Sequence, residues 1–144
     1  MLGKVVGVAD GDTISVLINR HPVKVRIMGI DAPEKKQPFG QRSKQAMSDC
    51  SFGKDVDVDW TKTDRYGRSI GKVRSAGVDC GLRQIELGLA WHYKAYAREQ
   101  NPVDRQTYSA AEERAKSERA GLWVDANPIP PWEYRHARNQ ETTH

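Results

Sequence analysis

Four acidic residues stand beside turns in the first quarter of this 144-residue chain: Asp10 and Asp12 in Asp-Gly-Asp-Thr, and Asp31 and Glu34 in Ile-Asp-Ala-Pro-Glu. Carboxylates delivered from two turns, with a main-chain carbonyl nearby, make an oxygen donor set suited to a hard divalent cation, calcium or magnesium; zinc would call for His or Cys. The tripeptide alone also supports a plainer reading, a tight turn with Gly11 at positive φ and aspartates accepting backbone amides. Arg26 lies in the stretch leading to Asp31, and Arg68 closes the turn Asp64-Arg65-Tyr66-Gly67-Arg68. Two arginines beside a metal would clamp a phosphate and stabilise the added charge of a pentacoordinate transition state. Singly, each arginine reads as a surface ion pair. His21, His92, His136 and His144 are scattered without ligand spacing. No imidazole therefore stands in the constellation to activate a ribose hydroxyl, and water is the expected nucleophile.

The charge distribution agrees with a polyanionic partner. The formal net charge is +4, and the window from Arg20 to Gln45 holds seven basic residues against two acids. A focused basic region attracts nucleic acid first among polyanions, although a solvated charged surface has the same composition. Asp55, Asp57 and Asp59 form a stripe of like charges, but strand spacing holds such neighbours about 6.7 Å apart, which describes a solvated strand face better than a metal site. Cys50 and Cys80 are the two cysteines, with no Cys-x-x-Cys pair; one disulfide and two buried thiols both remain open.

The elements that must position these residues follow from periodicity. Length points to one domain, and 38% hydrophobic residues suffice for one modest core. No apolar run is long enough for a membrane span. Lys4 to Ala9, Thr13 to Ile18 and Val23 to Ile27 read as a three-stranded meander. A helix is expected from about Gly40 to Cys50, and Asp55 to Trp60 alternates as a strand with the valines and Trp60 on one face. Thr61 to Gly67 is a polar hairpin leading to a fifth strand from about Arg68 to Arg74. Two more helices follow, one through Leu82, Ile85 and Leu89, the other from Asp104 to Arg119. Trp60, Trp91 and Trp123 read as core or core-edge residues. The expected fold is α+β: a five-stranded oligonucleotide-binding (OB) barrel with about three α-helices over residues 1–127, then an extended tail over 128–144, frayed past Arg138.

Together these residues amount to a family resemblance. Asp10-Gly-Asp-Thr13, Val25-Arg-Ile-Met-Gly-Ile-Asp-Ala-Pro-Glu34, Pro38-Phe-Gly40, Asp64-Arg-Tyr-Gly-Arg68, Gly88-Leu-Ala90 and Ala120-Gly-Leu-Trp123 occur in the order of the staphylococcal nuclease (thermonuclease) family, which the chain resembles over about residues 3–123. The resemblance implies a calcium-dependent endonuclease of DNA and RNA that leaves 3′-phosphate ends. It implies calcium ligation by Asp12, Asp31 and the main-chain carbonyl of Ala32, where alanine keeps the ligand and loses any hydroxyl contact. It makes Glu34 the general base and Arg26 and Arg68 the phosphate-binding arginines. Arg65, Tyr66 and Tyr93 become substrate-binding residues, with Tyr96 beside Tyr93 as a second candidate in a segment that departs from the family pattern. Arg65 replaces a lysine of the family's best-known member, a change compatible with phosphate contact. The tail, Pro-Pro-Trp-Glu-Tyr-Arg, is expected to pack Trp132 against the barrel.

The rival reading is a catalytically silent nuclease-like OB module that binds nucleic acid or protein. Presence of every acid and arginine named above argues for the enzyme. DNA and RNA are the expected partners, with no membrane and no obligate protein partner evident. An unspecific nuclease endangers its own cell's genome, and cytosolic free calcium is too low for a weak site, so a periplasmic or secreted location is expected.

Overall fold

A computed structural model describes residues 1–142 of the chain; the last two residues of the expected tail, including His144, lie outside the described residues. Strands β1 (Leu2–Asp10), β2 (Thr13–Ile18) and β3 (His21–Ile27) form the anticipated antiparallel meander. A two-residue strand β4 (Ile30–Asp31) and helix α1 (Gly40–Ser51) follow, then β5 (Asp55–Thr63) and β6 (Ser69–Ser75). β5 pairs antiparallel with both β1 and β6, and β6 closes back on β3 in parallel. These five strands make a closed mixed barrel of the OB type, as expected, and the short β7 (Val78–Asp79) extends β6. Helices α2 (Cys80–Glu86) and α3 (Pro102–Ser117) flank a second tiny sheet, in which β8 (Trp91–His92) pairs with β4. 3₁₀ segments cover Lys94–Glu99 and Gly121–Val124.

Alternation in the strands becomes the barrel core. Val5, Ile14, Val16, Val25, Ile27, Val56, Val58 and Val73 are essentially inaccessible, and Met47, Ile85 and Tyr108 close the barrel from the helices. Burying each such side chain contributes on the order of 1.5–3 kcal/mol before the entropy of ordering is counted. Helix ends follow local chemistry: Asp79 accepts the Gly81 and Leu82 amides to cap α2, while Asn101 accepts the Asp104 amide ahead of Pro102 at the start of α3.

Three expectations are corrected. Trp60 does not join the core: it keeps register with Val56 and Val58, opposite Gly71, but lies at the end of the buried stretch of β5, just ahead of a register shift, and is 48% exposed. The segment from Pro131 is not extended but a fourth helix, α4 (Pro131–Thr142), so the tail fraying expected past Arg138 gives way to helix as far as Thr142. Proline at its first helical position has no amide to satisfy, and the Pro130 carbonyl accepts the Tyr134 amide at 3.0 Å to begin the helix. Trp132 packs as expected, but against Trp91 and Tyr93 at the mouth of a cleft.

Of the two alternatives for the cysteines, the structure has the disulfide: Cys50 of α1 joins Cys80 of α2 with Cα atoms 6.0 Å apart. The bridge closes a loop of sequence separation 30. Reduction is expected to lower the unfolding free energy by about 3–4 kcal/mol on the chain-entropy account. Denaturant midpoints with and without reductant measure it, and an unchanged midpoint after full thiol titration would contradict the expectation.

Candidate active site

The tight turns at the barrel's open end converge on one cleft of about 1030 Å³. Its walls include every residue that the sequence put forward: Asp12, Arg26, Asp31, Ala32, Glu34, Arg65, Tyr66, Arg68 and Tyr93, together with Asp10, Tyr96 and Arg135. β2 and β3 set Asp12 beside Arg26, because Thr13 is registered opposite Arg26 and the Ile27 amide donates to the Asp12 carbonyl at 2.8 Å. β4 carries Asp31, held by pairing with Trp91 of β8. Closure of β6 on β3 places Arg26 opposite Ile70, and so brings Arg68, two residues earlier, to the same cleft.

The Asp10-Gly11-Asp12 turn is fixed from below. Asp10 Oδ1 accepts the Asp12 amide at 3.1 Å, the turn chemistry expected of this tripeptide. Gly11, contrary to expectation, is not at positive φ. Its requirement is space, since a Cβ would collide with Ser43 Oγ and crowd Ala32. Gln84, buried on α2, donates to the Gly11 carbonyl at 2.9 Å and the Ser43 carbonyl at 2.8 Å, tying the turn to both helices. Glu34 sits on a similarly tight loop: the Gln37 amide donates to its carbonyl at 2.9 Å, and Gln37 Oε1 accepts its amide at 3.1 Å. Gly40 presses on that loop so closely that a Cβ would overlap the Glu34 carbonyl oxygen.

Charge in the cleft is dense and buried. Asp31 is fully inaccessible and Asp12 is 6% exposed. Asp12 accepts from Thr13 Oγ1 at 2.9 Å and the Ala32 amide at 2.8 Å. Burial opposes its charge, but Arg26 and these hydrogen bonds outweigh burial and keep Asp12 ionised below the usual carboxylate range. Asp10 goes the other way, pushed up to about 7 by burial and then by the adjacent Asp12 charge. Burial also raises Asp31, with Asp12 adding to the rise and Arg135 and Arg26 opposing it. Arg26 is anchored beneath this group by bonds to the carbonyls of Ile27 at 3.0 Å and Ile30 at 2.8 Å, and lies 3.6 Å from Asp12 and 3.4 Å from Asp31. Across the cleft Asp64 shapes the second turn, accepting the amides of Tyr66 and Arg68 and, at 2.8 Å, the Arg68 Nε–H. The Arg65 and Arg68 guanidinium groups both lie over the Tyr66 ring.

Two like-charged carboxyl groups crowded into burial, one of them forced toward protonation, form a site that an added cation would relieve. All the donors are oxygens, which fits calcium or magnesium. Among the described residues no three His, Cys, Asp or Glu side chains gather into a closed cage. The oxygen donors on this wall of the cleft are the carboxylates of Asp12 and Asp31, with the main chain of Ala32 beside them.

Sequence reasoning did not find Arg135, on α4. Its Nη2 donates to Asp31 Oδ2 at 2.7 Å, and its Nη1 to Asp31 Oδ1 at 3.2 Å and to Glu34 Oε1 at 3.1 Å. Burial works against the Arg135 charge, but the two carboxylates outweigh it and hold the guanidinium above its ordinary pKa. The available signal was local: proline at a first helical position, with Glu133 in the first turn. Gln84 is a further positioning residue that local sequence does not reveal, since its partners lie 73 and 41 positions away. The Asp64 side chain bonds Tyr66 and Arg68 of its own turn, so there the turn motif itself was the available signal. His92 is buried outside the cleft lining, with Nε2 2.8 Å from Gln100 Oε1 and Nδ1 2.7 Å from Lys94 Nζ.

Comparison with known proteins agrees with this geometry. A family model described as Staphylococcal nuclease homologue matches residues 24–125. A micrococcal nuclease of Shigella flexneri is 38% identical over 149 residues, covering 97% of this chain and 83% of that protein. Protein ParB of Escherichia coli is 38% identical, over 95% of this chain and 80% of its own length. An uncharacterized endonuclease of Escherichia coli O157:H7 is 40% identical over 137 residues, covering 94% and 86% of the two chains.

Proposed function

The chain belongs to the staphylococcal nuclease family and is a hydrolytic nuclease, and on that premise we propose that it is a calcium-dependent, sugar-nonspecific endonuclease that cuts DNA and RNA and leaves 3′-phosphate ends. The observation that carries this reading is the convergence of Asp12, Asp31, Glu34, Arg26 and Arg68 on one cleft from four separate chain segments. A silent binding module has no chemical need for that set.

In this reading Asp12, Asp31 and the Ala32 carbonyl hold the cation. When bound, the cation offsets phosphate charge and holds a water beside it. Glu34 takes the proton from the attacking water. The new P–O bond forms as the bond to the 5′ oxygen breaks, and the departing oxygen takes up a proton from solvent. Arg26 and Arg68 donate to the phosphate oxygens, which favours the transition state because charge grows there as water adds. Arg65, Tyr66 and Tyr93 bind the flanking nucleotide through phosphate contact and stacking. None of these groups reads a 2′-hydroxyl, so DNA and RNA both react, single strands faster because they enter without melting.

The disulfide supports a location in an oxidising compartment, periplasmic or extracellular, where calcium is also plentiful. End-labelled single-stranded DNA and matched RNA, digested with calcium, test the reaction. Fragments of both should require phosphatase treatment at the 3′ end before extension and should accept 5′ label from a kinase directly. DNA fragments that accept no 5′ label without phosphatase treatment would contradict the polarity, and inertness toward DNA alongside RNA cleavage would overturn the water-attack mechanism.

A further inference from the structure

Helix α4 does more than cover the barrel. Its Arg135 bridges Asp31 and Glu34 with bonds of 2.7, 3.1 and 3.2 Å, so its planar fork engages both a proposed metal ligand and the proposed base. Three turns of sequence-distant chain thus deliver a cation to the place where the reaction needs a different one. On the same helix Trp132 stacks on Tyr93, with ring centroids 5.4 Å apart and planes 6° from parallel, and covers a face of a proposed substrate-stacking ring. One element therefore occupies both a metal donor and a substrate surface.

The attachment of α4 is suited to release. It follows the segment 124–127, whose residues are exposed, and the first half of the helix docks through Trp132 and Arg135, with the Gln37 amide holding the Ile129 carbonyl just ahead of it. Arg135 itself is 39% exposed, whereas its partner Asp31 is inaccessible. The fork can therefore leave into solvent, while the carboxylate cannot follow.

We propose that Arg135 is a tethered competitor for the metal, and that α4 is a latch whose arginine must leave Asp31 and Glu34 before the site can load. The inference rests on the metal reading given above. With Arg135 seated, Asp31 is shared by two guanidinium groups and Glu34 is paired; without it Asp31 keeps only Arg26, at 3.4 Å, and Glu34 is released, which leaves negative charge that a divalent cation can neutralise. The metal's apparent affinity is reduced by the fraction of molecules in which the latch is open. Linkage makes the effect reciprocal, so metal binding must weaken the docking of α4 to the same degree. At low calcium the latch stays seated, Glu34 stays engaged and Tyr93 stays covered; a calcium-rich compartment frees all three.

Calcium titration calorimetry on the full chain, without substrate, tests this with wild type, Arg135→Ala and Arg135→Lys. Arg135→Ala should bind calcium at least about tenfold more tightly, the effect of opening a latch that is closed nine-tenths of the time. Arg135→Lys should fall between, since an ammonium keeps the charge and loses the fork. Hydrogen exchange over residues 131–142 of the wild type should rise on saturation with calcium and be already raised in metal-free Arg135→Ala. Equal or weaker calcium affinity in both folded variants, or exchange in α4 of the wild type that calcium leaves unchanged, would overturn the latch and leave the metal reading standing. Failure of wild type and variants alike to bind calcium would overturn both.

Discussion

Arg68→Gln is expected to lower turnover at saturating calcium by at least about 10²–10³-fold, the scale for losing one preorganised contact to developing transition-state charge. Arg26→Gln and Glu34→Gln should cost as much, but the structure separates the three in stability. Arg68 stands at the cleft rim, held through Nε by Asp64, so its loss leaves the barrel intact. Arg26 bonds the carbonyls of Ile27 and Ile30 and neutralises Asp12 and Asp31, so its removal also leaves buried charge uncompensated and lowers the melting temperature. Single-turnover rates beside thermal melts distinguish the two effects. Wild-type turnover in a folded Arg68→Gln protein would show that this arginine does not meet the reacting phosphate.

Removal of the metal is expected to have the larger effect still, abolishing cleavage. On the proposed ligand set, two carboxylates and a carbonyl without a cage of further acidic ligands among the described residues, the site has few protein ligands, for which affinities of roughly 10⁻⁴ to 10⁻³ M are typical. Nicking of a supercoiled plasmid should therefore stop in excess chelator and return with millimolar calcium. Asp31→Asn should fail to recover at any calcium concentration, because the amide removes the negative charge that the cation needs, while Arg26 keeps Asp12 and Arg135 keeps Glu34 as carboxylate partners. Undiminished nicking in excess chelator would remove calcium from the mechanism.

The five barrel strands and the first three α-helices were legible in local sequence, whereas the two-residue strands β4, β7 and β8 were not. Period-two alternation in β1, β2, β3 and the first half of β5 is a local property, since a strand buries every second side chain whatever lies across from it. The same is true of the turns: Asp-Gly-Asp and Asp64-Arg-Tyr-Gly-Arg68 must bend, and a bend is where functional side chains can project. Asp12, Arg26, Asp31, Glu34 and Arg68 could therefore be named before any pairing was known.

Tertiary structure decided which of these meet and what else meets them. Arg68 reaches Arg26's cleft only because β6 closes in parallel on β3, a pairing between segments far apart in sequence that no local pattern records. Cys50 and Cys80 could be thiols or a bridge until α1 and α2 lay side by side. Trp60 had the spacing and the register of a core residue, yet it lies past the covered part of β5 and is exposed. Arg135 shows the limit most sharply. α4 has too little apolar periodicity to announce itself, and consecutive prolines read as extended chain, although the second of them is well placed to begin a helix. What holds that helix is an ion pair to residues about a hundred positions away and a ring stacked on Tyr93. Burial, pairing and charge compensation are properties of the assembled fold, because each depends on which distant groups exclude water from the same space.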